Sequence, residues 1–580
     1  MFRRLRTVTL VLSLTALVGA LGPAAGATAQ EPAAEPAPEL FLESVDVDVV
    51  ELEVVIADED GNPVRGLTRE DFRVFEDGEP VELTNFYAVE GGRRVLAEDE
   101  ALPGGDPALG ELPLDQRLNL AVVVDNANIL PANRKRVLDD LVLHVGKVVR
   151  PGDRVMVIGI DRSIHVEQSL TDDMAAVLSA IDRLGGSTGA RVDLLGQERM
   201  IRLALNTRDG FQPGQSGTAV ADTPGDAAHR AIQMIESYAI QADARSRETF
   251  EAIGRLIDSM AGLEGRNAVL YVSDGVSARP AEALLEELML AFPDVQNPGG
   301  VIAPTFDANR WDSSDAMRRV ARKAAADQVV FYSLDAKGLA SGASVEQATI
   351  SQSVTTGADL ADKDAMMYLA AATGGEVMLN PAGVSKLVDR MASDYTDYYS
   401  LGYTSPSSQD GDYHRVEVRI PGRRGLRVRH TEGYQGKSSD QRMIERTLSA
   451  LVFDVADNPL AVRIELGEEQ TGTRKQVVLP VLIRVPISKL LLIPRESSHH
   501  GRLKIYLAVR DAEGRVAQPE PIEVPVDIPN DQLVEALSRE LGHGLNLQIR
   551  SGESKLAVGV RDEVAAVEST VNLSVSLDEG

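Results

Sequence analysis

The feature that most restricts the fold is a series of short, almost wholly apolar segments separated by amphipathic ones. Leu118 to Val124 is nearly continuous in apolar residues and ends at Asp125, and Val155 to Ile160, Ala268 to Val272 and Val329 to Leu334 repeat that texture. After the first of them, Val137, Leu138, Leu141, Val142, Val145, Val148 and Val149 recur at helical spacing. A strand without polar alternation has to be covered on both faces, and helices in the connections supply the cover. The pattern therefore predicts βαβ units and a doubly wound, mostly parallel sheet of the Rossmann-like kind over residues 117–400. Two excursions interrupt it, one near 206–226 and one near 278–314, the second carrying a short helix and the single tryptophan, Trp311. Long loops on a rigid scaffold are frequent places for binding function, and an exposed Trp311 would be a natural anchor for a partner; the alternative is that it packs its own loop.

The flanks read as β. Val45, Val47 and Val49 alternate with Asp46 and Asp48, and turns follow at Asp60-Gly61-Asn62-Pro63 and Asp77-Gly78, which predicts an N-terminal β-sandwich over 41–90. Residues 91–116 read as a linker, 401–436 as a β-hairpin extension, and 441–580 as a second β-sandwich with a helical interruption at Asp531 to Leu541. The expected class is a multidomain α/β plus all-β chain, its central doubly wound domain flanked by β-sandwich domains.

Met1 to Ala29 carries Arg3, Arg4 and Arg6, then an apolar run to Leu21 and the triplet Ala27-Thr28-Ala29, the arrangement of a cleavable secretory signal peptide. Gln30 to Glu39 is rich in Ala, Pro and Glu, so 30–40 is expected to be a disordered linker. The expected location is periplasmic or extracellular, with no transmembrane segment in the mature chain. The absence of cysteine removes disulfides, thiolate metal sites and cysteine nucleophiles together. Removing Met1 to Ala29 takes away three arginines and no acid, so the formal net charge moves from -29 to -32. Without a basic block large enough to reverse that field, nucleic acid is excluded as a partner.

In an open parallel sheet, ligands bind at the C-terminal ends of the strands. Asp125 stands at one such end and Asp274, in Val272-Ser273-Asp274-Gly275, at another; between them in sequence lies Gly185-Gly186-Ser187-Thr188-Gly189-Ala190. This order resembles the von Willebrand factor A (VWA) domain, whose metal-ion-dependent adhesion site takes an Asp-x-Ser-x-Ser turn, a Thr from a second loop and an Asp from a third. The segment Leu369 to Gly375, ending Thr373-Gly374-Gly375, is also one that such domains commonly show. The stretch Val64-Arg65-Gly66-Leu67-Thr68-Arg69-Glu70-Asp71-Phe72, the opening Val124-Asp125-Asn126 and the exit Tyr399-Ser400-Leu401-Gly402-Tyr403 narrow the resemblance to the bacterial VWFA-related domain family, over roughly residues 41–436.

The resemblance implies secretion and an interaction role. It also implies candidate metal positions at Asp125, Asn126, Asn128, Ser187, Thr188 and Asp274, for Mg or Mn. The first turn departs from the pattern, because Asp125-Asn126-Ala127-Asn128-Ile129 places Ala127 and Ile129 where hydroxyls belong. Hard divalent cations take oxygen ligands in an octahedron, so the site is expected to be degenerate and without a resident cofactor.

The chain carries no convincing catalytic constellation. There is no His-Glu-x-x-His, the eight His are scattered, Gly-x-Ser-x-Gly is spelled only within the Gly-rich turn Gly185 to Gly189, and Gly436-Lys437-Ser438 lacks the earlier glycine of a phosphate-binding loop. The expected activity is binding of a protein partner and not catalysis. The rival readings are a Mg-dependent adhesin using Asp125 and Asp274, and a structural envelope component with no discrete site.

Overall fold

In the computed structural model, the described residues are 49–95, 116–186, 191–206, 224–292, 308–337, 351–379, 383–471 and 476–577. The signal and linker expected over 1–40, Ser187, Thr188 and most of the 206–226 excursion lie outside them. The chain divides into two compact units, Val50–Ser438 and the region from Ser439 onward.

The first unit opens with β1 (Val49–Ala57), β2 (Arg73–Glu76), β3 (Glu79–Val81), β4 (Leu83–Glu90) and β5 (Arg93–Val95). The α/β part follows as β6 (Leu118–Asp125), α1 (Pro131–His144), β7 (Arg154–Ile160), β8 (Ile164–Thr171), α2 (Met174–Gly185), α3 (Arg191–Asn206) and α4 (Pro224–Met260). It continues with β9 (Arg266–Ser273), α5 (Glu282–Ala291), α6 (Ser314–Ala326), β10 (Val329–Asp335), α7 (Ser351–Thr373), β11 (Val377–Met378) and α8 (Val384–Thr396). The unit ends with β12 (Tyr398–Thr404), β13 (Tyr413–Arg419), β14 (Arg427–Arg429) and β15 (Gly433–Gln435).

The apolar segments read from sequence are adjacent strands of one sheet ordered β11-β10-β9-β6-β7-β8, parallel throughout except for the edge strand β8, which runs antiparallel to β7. Every residue of β6 and β9 is buried, as continuous apolarity requires. Val137, Leu138 and Leu141 of α1, Val177 and Ile181 of α2, and Leu387, Val388 and Met391 of α8 pack on one face. On the other lie α6 and α7 against β10, with α4 packed on α6. The strand order reverses between β6 and β9, so the crevice that doubly wound sheets use for ligands opens above these two strands.

The β flanks depart from expectation. Segments 41–90 and 401–436 are not a separate sandwich and a hairpin extension: their described strands form one sandwich, with sheets β14-β1-β12-β4-β5 and β15-β13-β2-β3. The 91–116 linker gives its first residues to strand β5. Leu52, Val54, Phe72 and Val74 from before the α/β domain share a core with Tyr399, Leu401, Val416 and Val418 from after it. The physical reason is that strands of three to nine residues on either side cannot close a core alone, whereas β12 pairing antiparallel with β4 completes one. The α/β domain is thus inserted into a β-sandwich. Arg266, at the start of β9, ties the two: its Nε lies 2.6 Å from Glu53 of β1, and its guanidinium sits 4.4 Å from the Tyr395 ring and 4.0 Å from the Tyr398 ring.

The short helix expected in the 278–314 excursion is α5, which with Trp311 joins a helical cluster with α3 and the first half of α4. In the second unit, 439–453 is not sandwich but a helix, α9 (Ser439–Phe453), whose Leu451 and Ala450 pack on Ala508 and Ala557. The rest of that unit is a sandwich. One sheet centres on Gln476–Pro486 paired with Glu540–Arg550, and the other on Ser498–Arg510, Gly552–Asp562 and Val567–Leu577. Leu479, Val481, Leu503, Ile505, Leu507 and Val558 lie in the shared core. The interruption expected at 531–541 shortens to one turn, Leu533–Ala536.

One charge cluster in the first sandwich predicts a pH dependence. His414 is buried on β13 with Nδ1 2.8 Å from Asp77 and Nε2 3.1 Å from Asp410, so both ring nitrogens face carboxylates. Burial pulls the imidazole down, and hydrogen bonds with Asp77 and Asp410 outweigh it and raise His414 above its ordinary value. A raised histidine contributes stability that is complete below its unfolded pKa and is lost as pH rises through the folded one. The melting-temperature gap between wild type and His414→Gln is therefore expected to be widest near pH 6 and to shrink towards pH 9. A gap independent of pH across that range contradicts a charged His414.

Candidate functional site

The crevice is built from the ends of β6 and β9. Sheet pairing sets Val124 opposite Val272, so Asp125 and Ser273 leave the sheet side by side, and Asp274 follows at the turn. Asp125 and Asp274 are fully buried. Strand alternation puts Tyr271 and Ser273 on the same face, and both reach Asp125: the Tyr271 hydroxyl donates to Oδ2, and Ser273 Oγ donates to it at 3.1 Å. Asn128 closes the loop on the same carboxylate, its backbone N–H donating to Oδ1 at 3.1 Å and its Nδ2 to Oδ2 at 3.0 Å. Asn128 Nδ2 also donates to Thr249 Oγ1 on α4 at 2.9 Å. Burial pushes the Asp125 carboxyl above the ordinary carboxylate range, opposed by these donors.

Asp274 has an equivalent set. Its Oδ2 accepts from the Leu130 backbone N–H at 2.9 Å, and Asn133 Nδ2 lies 3.0 Å from both oxygens, so the carboxylate caps the N-terminus of α1. Its own N–H donates to the Asn128 carbonyl at 3.2 Å, which joins the two strand ends. Asn126 is also buried; its Oδ1 accepts from Arg134 Nη1 at 3.1 Å.

Of the residues expected at the site, Asp125, Asn126, Asn128 and Asp274 come together, and Trp311 does not join them. Trp311 is 5% exposed in the cluster with Ile232, Ala239 and Leu284, so it serves the packing of the excursions and offers no exposed anchor. Sequence reading missed Tyr271, Ser273, Asn133, Thr249 and Arg134. For Arg134 a signal was present: it stands three and four residues before Val137 and Leu138, on the apolar stripe of α1. Strand parity from Asp274 marks no residue as a partner, and Thr249 arrives from a helix distant in sequence.

The arrangement suits a hydrogen-bonded lock better than an octahedral cation. The carboxylates face amide and hydroxyl donors, the neighbouring Ala127 and Ile129 are buried and apolar, and the Arg134 cation sits against Asn126. Among the described residues, no group of three or more His, Cys, Asp or Glu side chains is placed to hold a metal ion. Lys437 of the phosphate-loop-like tripeptide is engaged by Asp327 at 2.6 Å.

No protein-family model matches the chain, and no curated protein matches it. Solved structures overlap loosely. An aerotolerance-related membrane protein from Bacteroides fragilis is 12% identical over 47% of this chain and 98% of its own, with a TM-score of 0.20. The vWF domain of the type V pili tip protein Mfa5 from Porphyromonas gingivalis is 11% identical over 48% of this chain and 94% of its own, with a TM-score of 0.22. Three N-terminal domains of that pilus protein are 9% identical over 88% and 78%, at 0.23. At such scores the overlaps carry no argument. No described helix is long and apolar enough to cross a membrane.

Proposed function

We propose that this chain is an exported, envelope-associated VWA-type protein that binds a protein partner through the loops above β6 and β9, without a bridging cation and without catalysing a reaction. The observation that carries the reading is the pair of strand-end carboxylates, Asp125 and Asp274, at the reversal of strand order, each engaged by protein N–H or O–H donors. Such a lock holds the upper loops in one shape, which is what a recognition surface needs. Tying Asn128 to Thr249 extends that rigidity to α4.

The cysteine-free chain makes the test direct. A photo-crosslinker on Arg162→Cys, an exposed position in the β7–β8 turn at the same end of the sheet as Asp125, is expected to capture an envelope protein. The same label on Glu82→Cys, exposed on the sandwich, is expected to capture less. Capture only from Glu82→Cys would favour a structural role with no site in the crevice. Chelator is expected to leave the capture unchanged, and Mg²⁺ or Mn²⁺ to move the melting temperature by less than about 1 °C, since a ligand stabilises only the state it binds. Capture that requires Mg²⁺ would restore the metal-dependent adhesin.

A further inference from the structure

We propose that the chain forms a symmetric dimer in which the Glu540–Arg550 strand pairs antiparallel with the same strand of a second copy, Leu545 facing Leu545 on the two-fold axis. Among the described residues this strand pairs along its whole length with Gln476–Pro486, and no described strand pairs with its other edge. Eleven residues of unpaired backbone N–H and C=O groups form a template for another chain, and folded proteins usually guard such edges. The other edges of this sandwich are guarded. Ile522–Pro529 carries Pro525 and Pro529. Val567–Leu577 is bridged at Thr570 by Asp457, and its Asn572 side chain donates to the Val455 carbonyl. The far side of Gln476–Pro486 holds only the short strands Arg463–Leu466 and Gln470–Thr471. The Glu540–Arg550 strand has no Pro and no Lys, and its carboxylate and guanidinium stand at its two ends. Between them the one titratable side chain is His543, which burial pulls below its ordinary pKa.

Charge complementarity selects a second copy as the occupant. Centring the pair on Leu545 sets Glu540 opposite the second copy's Arg550 and Arg550 opposite its Glu540, the reciprocity a two-fold interface requires. Glu540 already pairs with Arg463, and Arg550 lies 3.7 Å from Glu513, so each end of the interface becomes a row alternating in sign: Arg463, Glu540, Arg550 and Glu513. A parallel pair would set like charges together, which destabilises. The same register keeps faces matched. Leu545, Leu547 and Ile549 are buried on the core side, and the pairing puts Leu541 opposite Ile549 and His543 opposite Leu547. A one-residue slip would set this row against Gly542, Gly544 and Asn546 of the outer face. A two-residue slip sets Glu540 against Gln548 or past the end of the strand, and loses both charge pairs. The inference goes beyond the partner-binding reading and involves the other unit; a dimer carries two crevices and so binds a repeated partner with avidity.

The test uses the purified full chain. Sedimentation equilibrium is expected to show a reversible dimer at concentrations on the order of 10 µM, and Asn546→Lys, which sets two ammonium groups beside the axis on the outer face, to raise its dissociation constant at least about 10-fold. Because the chain has no cysteine, the register can be read by disulfide trapping. Gly544 of one copy faces Asn546 of the other at about 4.5–5.5 Å between Cα atoms, within the reach of a disulfide, whereas like residues lie on the diagonal at about 7–8 Å. A Cβ on Gly544 meets only Leu482 Cδ1, at 4.0 Å, so a side chain is tolerated there. An oxidised mixture of Gly544→Cys and Asn546→Cys is expected to give the mixed disulfide at least about 10-fold faster than either protein alone gives its own. This arm keeps the test decisive if Asn546→Lys fails to fold. A monomer throughout, a dimer that Asn546→Lys leaves intact, or like disulfides forming as fast as the mixed one overturns the proposal.

Discussion

Gly375→Ala is expected to lower the melting temperature of the α/β domain sharply or to leave the chain insoluble. Helix α7 ends in a left-handed cap: Gly374 has φ +76°, its N–H donates to the Ala371 carbonyl at 3.4 Å, and the Gly375 N–H donates to Ala370 at 2.9 Å. Thr373 Oγ1 accepts from the Phe331 N–H at 2.9 Å, which draws this cap against β10. A Cβ on Gly375 would collide with the Phe331 carbonyl oxygen and lie 2.7 Å from its carbon. Both are backbone atoms of a strand paired with β9 over seven residues, so neither can move aside. The cost is expected to be about 3 kcal/mol or more, a fall in melting temperature of roughly 6–12 °C. Gly196→Ala provides the contrast: it is exposed on α3 with nothing within 4 Å, and should stabilise by about 0.5–1 kcal/mol. A Gly375→Ala protein that melts with wild type would mean that the cap does not approach β10 this closely.

Asp125→Ala is expected to cost about 2–4 kcal/mol, because it strips the acceptor from the buried Tyr271 and Ser273 hydroxyls and the Asn128 amide. Relief of the carboxylate's own desolvation offsets part of that loss. Asp125→Asn should recover little, since its NH₂ group would face donors. The loss should be the same in millimolar Mg²⁺ and in chelator. A loss that appears only with Mg²⁺, measured by thermal melts of both proteins in parallel, would contradict the hydrogen-bonded lock.

The legible parts of the fold are those set by local pattern. β6 is buried along its whole length, so its sequence carries no polar alternation, and the end of that run locates Asp125 directly. The Thr373-Gly374-Gly375 segment is visible as a motif, though its cause, a left-handed residue followed by a close backbone approach, is a property of the packed sheet. The single sandwich is hidden because β1–β5 and β12–β15 lie some 300 residues apart in the chain, and period-2 alternation identifies a buried face without identifying what covers it. Trp311 reads as an anchor from its place in a long excursion, but a loop that carries its own apolar helix can bury its aromatic in a local core.

The apolar strands of the parallel sheet and the carboxylates Asp125 and Asp274 at their C-terminal ends are readable from the chain alone. These follow from residue type and position along the chain. Packing alone reveals that the α/β domain is inserted into a single sandwich and that Asn128, Tyr271 and Ser273 converge on Asp125. The physical reason is that hydrogen bonds and burial depend on which distant groups share a few ångströms of space, and that proximity is set by the packing of the whole domain.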